Sequence, residues 1–393
     1  MTVDLPPAVA EILRRSVAAG AMPGASFVLT ERDGRPVEVS VGKLRADDGA
    51  PVTPSAMYRL MSMTKAFVSV GALQLIEEGR LRLDQAVASI LPEFEELMVL
   101  EGFDGERPRL REPRGAATIK HLLTHTSGLG YNFHSPELVR YHELTGTPDW
   151  LSCRLASLTV PLIADPGGAW RYGTSTDWLG QVIERISGQD LSAYLTERLF
   201  GPLGMLDTTF APSDEQRSRL MAVHARTPDG GLVLSDFDLP AVPEYFAGGH
   251  GAYGTARDYA RFMAMLLSGG ALDGARILRP ESVEQMFNDG LDGAPMPNGS
   301  KTAMPRLTHD LPALPYAHTF GLGLHVFTED LPGMRRAGSG DWSGLCNCYY
   351  WVDRGSGLAG ALLTQVLPFH DTEVLEAVIR TELTIYDEIL DPG

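Results

Sequence analysis

The chain has 393 residues, 44% of them hydrophobic, and 33 basic against 50 acidic side chains give it a net charge of −17. That length allows more than one core, so two lobes are the first expectation. With no block of Lys or Arg to neutralise a phosphate backbone, and no apolar run near the roughly 20 residues of a membrane helix, neither nucleic acid nor a bilayer is expected as a partner.

In chain order, Met1 to Gly20 opens with acidic residues and two prolines rather than a basic start and an apolar core, so it does not read as a secretory signal. Ala25 to Thr30 and Val37 to Gly42 are β-rich runs on either side of Asp33-Gly34, a hairpin signal. From Ser62 to Glu78 apolar residues recur at helical spacing and stop at Gly79, which predicts a long, largely buried helix. Helical patterns then dominate to about residue 200, broken by loops such as Asp165-Pro166-Gly167-Gly168.

Gly248-Gly249-His250-Gly251 precedes a predicted helix over Ala256 to Leu267, but no Lys follows at the spacing of a phosphate-binding loop. Gly321 to Phe327, Leu345 to Val352 and Leu358 to Leu367 are β-rich, and Asp371 to Leu390 is an amphipathic helix. Strands at both ends with helices between predict an α/β (α+β) fold whose sheet is built from both termini and flanked by helices. The boundaries expected are 1–80 with 215–393 for a discontinuous α/β domain, and 81–214 for a mainly helical lobe.

The three cysteines are an odd number, and Cys346 and Cys348, two apart on a strand, would point to the same face, which suits a reduced cytoplasm. The ten histidines form no HExxH and no zinc spacing, so neither metal nor other cofactor is expected.

Ser62-Met63-Thr64-Lys65 opens the first long helix and sets a hydroxyl and an amine one turn apart on one face. A Ser hydroxyl becomes a nucleophile when a nearby base accepts its proton, and a Lys in an apolar setting can act so. The helix N-terminus adds N–H groups for the oxygen that turns negative when a carbonyl is attacked. With 4 lysines and 23 serines in the chain, chance supplies about 0.2 such matches. The motif therefore needs companions.

One companion is Pro166-Gly167-Gly168-Ala169-Trp170-Arg171-Tyr172-Gly173-Thr174. It resembles the Tyr-x-Asn region of class C β-lactamases, DD-peptidases and family VIII carboxylesterases, whose Tyr faces the Ser-x-x-Lys. A phenol there can relay the serine proton to the leaving group. Gly338 to Leu345 resembles the strand that carries Lys-Thr-Gly in the β-lactamases and a Trp-Gly-Gly version in family VIII esterases and polyketide acyltransferases. Trp342-Ser343-Gly344 matches the second form. Thr118 to Leu129 looks like the "LLTHTSGL" stretch of the same proteins, with its histidines structural.

The resemblance runs from about Ala25 to about Phe369. It implies a β-lactamase/DD-peptidase-like fold with Ser62 as the acylated nucleophile and Lys65 and Tyr172 as its proton handlers. An edge strand would lend the Leu345 amide, which with that of Ser62 would form the oxyanion hole. Trp342, Ser343, Gly344, Thr174 and Tyr131 would contact substrate, and Phe133, Trp150, Trp178, Tyr245 and Phe246 are further candidates for an apolar pocket.

Two departures from the pattern shift the expected substrate. Trp342 removes the cation that would hold an anionic acyl donor, and Thr174 replaces the amide of the Asn. Both point to a carboxylesterase for short, mostly neutral small-molecule esters, with acyl transfer to another alcohol as a variant. The alternatives are a weak β-lactamase or D-amino-acid peptidase, and a silent scaffold.

Overall fold

A computed structural model describes residues 4–47 and 49–390; the first three residues of the N-terminal stretch discussed above lie outside them. Helix α1 (Pro7–Ala18) leads into β1 (Gly24–Thr30) and β2 (Val37–Gly42), the hairpin expected around Asp33-Gly34. Helix α2 (Thr64–Glu77) follows a single 3-10 turn at Met61–Met63. Twelve of its residues are buried, so it is apolar all round, as a helix enclosed by other elements must be.

Residues 81–214 are mostly helical where they are regular, with short helices at Ile119–Leu123, Pro136–Thr145 and Leu191–Leu195, but not throughout. They hold a hairpin, β3 (Val99–Asp104) and β4 (Arg107–Arg111), turned at Asp104-Gly105-Glu106, and several 3-10 turns besides α3 (Ser175–Ser187). The alternation of charged and apolar residues from Glu101 to Arg111 belongs to an exposed ribbon.

Helix α4 (Ala256–Leu267) has the predicted bounds. Gly321 to Phe327 is a turn and a strand rather than one strand: β5 (His318–Phe320) and β6 (His325–Phe327) pair across Gly321–Leu324. Then come β7 (Gly340–Gly344), β8 (Cys348–Asp353) and β9 (Leu358–Leu363). Leu345 to Asn347 form the turn before β8, with Asn347 at φ +60°. The run to Leu367 breaks at Thr364-Gln365, beyond which Val366 and Leu367 pair in parallel with His224 and Ala225.

The main sheet has the order β5-β6-β7-β8-β9-β1-β2, and every neighbouring pair is antiparallel. It is thus assembled from both ends of the chain. Its two faces follow from strand alternation. Phe27 and Leu29 of β1, with Trp351 and Leu362, pack against α1 and the C-terminal helix α5 (Thr372–Leu390). Val28, Tyr350 and Ala361 face α4, in a core that continues without a break through α2 into α3. Phe67 of α2 anchors that core, edge-on to Phe262 at 4.8 Å and to Phe200 at 5.2 Å.

No helix among the described residues is long and apolar enough to cross a membrane, and no cluster there could hold a metal. Cys153, Cys346 and Cys348 are free and buried.

Candidate active site

The site forms where the start of α2, the end of β7 and two loops of residues 120–175 converge. Met61 has φ +48°, a conformation seldom taken by a side chain of its size, and Ser62 follows it, partly exposed, in the 3-10 turn that leads into α2 two residues later than the pattern predicts. Lys65, one turn on, is 3% exposed. Its Nζ donates to Ser62 Oγ at 3.2 Å, to the Tyr131 hydroxyl at 3.2 Å and to the Gly249 carbonyl at 2.8 Å. Its charge also lies 4.7 Å from the Tyr172 ring centre.

Tyr172 arrives from the loop before α3. That loop is pinned by the Arg171 N–H to the His125 carbonyl at 2.7 Å and by the Tyr131 N–H to the Tyr172 carbonyl at 3.1 Å. The phenol donates to Ser62 Oγ at 2.7 Å. The structure thus brings together the three side chains that the sequence separates by up to 110 residues.

Strand β7 supplies the third wall. It is not an edge strand along its length, since β6 pairs with Gly340 and Asp341. The three-residue β6 ends there, so Trp342–Gly344 lies beyond that pairing as the resemblance implied. A Cβ on Gly344 would sit 2.4 Å from the Leu60 carbonyl, so only glycine lets this strand approach the turn carrying Ser62. No backbone acceptor among the described residues takes the Leu345 N–H. The Trp342 indole N–H points to the Tyr172 oxygen at 3.4 Å.

Ser62 opens into a cleft of about 910 Å³, also lined by Tyr131, Phe133, Trp150, Tyr172 and Trp342. Ser343, Gly344 and Leu345 border it too. Thr174 does not. It is 2% exposed, makes no side-chain cap to α3, and its hydroxyl has no hydrogen-bond partner among the described residues. Trp178 and Tyr245 are core residues, and Phe246 borders a separate small cavity.

Two participants carry no mark in the sequence. Asp177, wholly buried on α3, accepts the Gly249 N–H at 2.9 Å and faces the Tyr131 phenol. Burial raises its carboxyl to about 6 against the opposing pull of the Lys65 charge. Gly249 is the second, from the Gly-rich segment that lacks the Lys of a phosphate-binding loop. A Cβ there would lie 2.4 Å from the Asp177 carboxylate and 2.8 Å from the Tyr131 oxygen.

Burial, reinforced by Asp177, pushes the Tyr131 phenol well above its ordinary range, so it stays protonated. Burial and then the Lys65 charge hold His250 at about 3 and His125 well below the usual imidazole range, so both are neutral rings. His125 packs on Tyr172 at 5.2 Å, and His121 closes a capping box with Thr118. Among the described residues, Lys65 and Asp177 are the charges at the heart of the site.

An antiparallel sheet from both termini, a serine at the start of a buried helix, and an amine and a phenol on its hydroxyl define the penicillin-recognising serine class. The chain belongs to the beta-lactamase family, whose model matches residues 9–383. It is 34% identical over 352 residues to monacolin J acid methylbutanoyltransferase of Aspergillus terreus, covering 86% of this chain and 83% of that protein. It is 32% identical over 327 residues to lovastatin esterase of Penicillium rubens, 79% of each chain. Among solved structures, the LovD6 mutant of simvastatin synthase from Aspergillus terreus superposes with a TM-score of 0.84 at 29% identity, covering 98% of this chain and 97% of that one. The protein is a serine acyltransferase or hydrolase of the β-lactamase fold.

Proposed function

We propose that the protein forms an acyl-enzyme on Ser62 from a small-molecule ester with a short, neutral acyl group, and passes that group to an alcohol or, more slowly, to water. The observation that carries this reading is the contact of Ser62 Oγ with both Tyr172 and Lys65 at the mouth of an open cleft.

With one of Lys65 and Tyr172 deprotonated, Ser62 Oγ attacks the ester carbonyl and its proton passes to that partner, the two acting as one unit. The amides of Ser62 and Leu345 hold the oxyanion. As the tetrahedral intermediate collapses, Tyr172 returns the proton to the departing alcohol oxygen. The same steps in reverse, with a new alcohol or water in its place, release the acyl group from Ser62.

The volume of the cleft supports transfer to a bulky alcohol, since a short ester would fill a small part of it. The names of the relatives, a methylbutanoyltransferase and an esterase, support the same pair of outcomes. Trp342, where a β-lactamase strand would carry Lys, disfavours anionic acyl donors. Three buried, unpaired thiols support a reducing compartment such as the cytoplasm.

The test compares p-nitrophenyl butyrate and a chromogenic cephalosporin, each with wild type and Ser62→Ala, and adds a bulky alcohol to trap transfer. Ester turnover, a butyryl adduct on Ser62 by mass spectrometry and diversion of the acyl group to the alcohol are expected. Turnover surviving Ser62→Ala removes the nucleophile, faster cephalosporin cleavage favours the lactamase, and no reaction with either favours a scaffold.

A further inference from the structure

The cleft does not end at β7. Strand alternation sends Trp342 and Ser343 to opposite faces of the sheet. Trp342 pairs with Tyr350 and faces the α4 core, while Ser343 pairs with Tyr349, whose ring packs in the layer of α5. Both Trp342 and Ser343 line the cleft, and so do side chains of α5. The way between them is open because β6 pairs only with Gly340 and Asp341, so that among the described residues no strand covers the outer edge of β7 from Trp342 to Gly344. The cleft therefore continues round that edge into a chamber on the far face of the sheet from Tyr172.

The chamber is apolar. Leu375, Val378 and Ile379 recur at the spacing of one helical face and, with Tyr349 and Phe369 stacked at 5.8 Å, form its wall. Ile379 is 41% exposed, an aliphatic side chain left facing the space. The charges beside it are matched among themselves: Asp341 accepts from Arg335 at 2.5 Å and from His325 at 2.7 Å, and Glu382 accepts from Arg335 at 2.7 Å. That network is closed on itself, so burial of hydrocarbon is what the chamber offers a ligand.

Which end of an ester reaches it follows from the positions round Ser62 Oγ. In the acyl-enzyme reading the Leu345 amide holds the carbonyl oxygen at the edge of β7. The departing oxygen sits beside the Tyr172 hydroxyl, which lies 2.7 Å from Ser62 Oγ and 3.4 Å from the Trp342 indole nitrogen, and so on the Trp342 face of the strand. The acyl chain, the remaining substituent of the tetrahedral carbon, is the one directed to the Ser343 face.

We propose that the chamber behind β7 is a subsite for the tail of an unbranched aliphatic acyl group of medium length. This rests on the acyl-enzyme reading above, and extends the acyl groups of that reading from short ones to ones whose tail rounds the edge of the strand.

The test compares p-nitrophenyl octanoate with p-nitrophenyl butyrate in wild type, Ile379→Asn, Ile379→Leu and Leu383→Asn. Leu383, 39% exposed on the same helix, does not line the cleft and serves as the control. Wild type should favour the octanoate in kcat/KM by about tenfold, the gain from burying about two methylene groups. Ile379→Asn should bring that ratio toward one, whereas Ile379→Leu and Leu383→Asn should keep it. A wild-type ratio near one, or a preference that Ile379→Asn leaves unchanged, overturns the subsite. Octyl acetate and butyl acetate carry the same chains on the other oxygen and should show no preference that depends on Ile379. A preference there that Ile379→Asn erases would put the departing alcohol in the chamber and overturn the proposal.

If wild type turned over none of these esters, the acyl-enzyme reading would fail separately. Calorimetric binding of octanamide and butanamide would then decide. A preference for octanamide that Ile379→Asn erases keeps the subsite, and equal binding of the two by wild type removes it.

Discussion

Trp342 and Tyr172, 170 residues apart in the chain, meet in one corner of the cleft, the indole N–H aimed at the phenol oxygen at 3.4 Å and the rings crossed with centroids 5.1 Å apart. The same oxygen lies 2.7 Å from Ser62 Oγ. One group thus orients the phenol, and the phenol serves the nucleophile. Tyr172→Phe removes the proton relay and should lower kcat on p-nitrophenyl butyrate by about 10²–10⁴. Trp342→Phe keeps a ring but loses one long hydrogen bond, so kcat should fall by only about 3–10-fold. Equal losses in the two variants would contradict this order of roles.

Gly344 makes a sharper test, because nothing about its own chemistry is reactive. A Cβ there would meet the Leu60 carbonyl at 2.4 Å and the Met61 side chain at 3.3 Å. Backbone cannot yield as a flexible side chain can, so Gly344→Ala must push β7 away from the Ser62 turn. A displacement near 1 Å at a reacting centre costs about 100-fold in rate. Ester turnover should fall by that order while circular dichroism stays that of a folded sheet. Wild-type rates in Gly344→Ala would mean that the approach of β7 does not position the oxyanion donors.

Much of this arrangement is legible in the sequence where structure is local. The Ala256–Leu267 helix and the 24–42 hairpin are encoded by periodicity and one Asp-Gly turn, and the Ser-x-x-Lys spacing places its two side chains on one helical face. The charged ribbon of β3 and β4 was hidden because most of it is exposed, Leu110 included, so its alternation marks no core-facing side. Asp177 and Gly249 were hidden for another reason. Each is ordinary in its own segment and becomes significant only when α3 and the 248–251 loop pack beside Lys65. Thr174 failed in the opposite sense: its position in the motif is right, yet it lies buried just before α3.

Stability should depend strongly on Phe67, which ties α2 to two other parts of the continuous core. Phe67 lies wholly buried in α2 between Phe200 of the helical region and Phe262 of α4. Phe67→Ala should cost about 3–5 kcal/mol by loss of burial and an unfilled cavity. Urea denaturation measures it, and a loss under about 1 kcal/mol would show that the surrounding side chains collapse into the space.

The buried Asp177 predicts opposite pH trends for stability and rate. Its carboxyl rises from an ordinary 3.8 to about 6 on folding, with burial the main cause. Between those values the folded chain binds the proton and the unfolded chain does not, so this group's stabilising contribution is present below about 3.8 and is lost as pH rises through about 6. Asp177→Asn removes that titration, and its melting temperature should gain on wild type as pH goes from 4 to 7. Activity should run the other way. The ionised carboxylate faces the Lys65 charge and fixes the Gly249 loop that accepts from it, so wild-type kcat/KM should rise with pH across about 6. His250, 3.8 Å away and held at about 3, cannot supply that step, nor can Tyr131, which stays protonated throughout. In Asp177→Asn the inflection near 6 should disappear and the plateau should fall. An acid limb that persists unchanged in Asp177→Asn would assign the titration to another group and reduce Asp177 to a packing role.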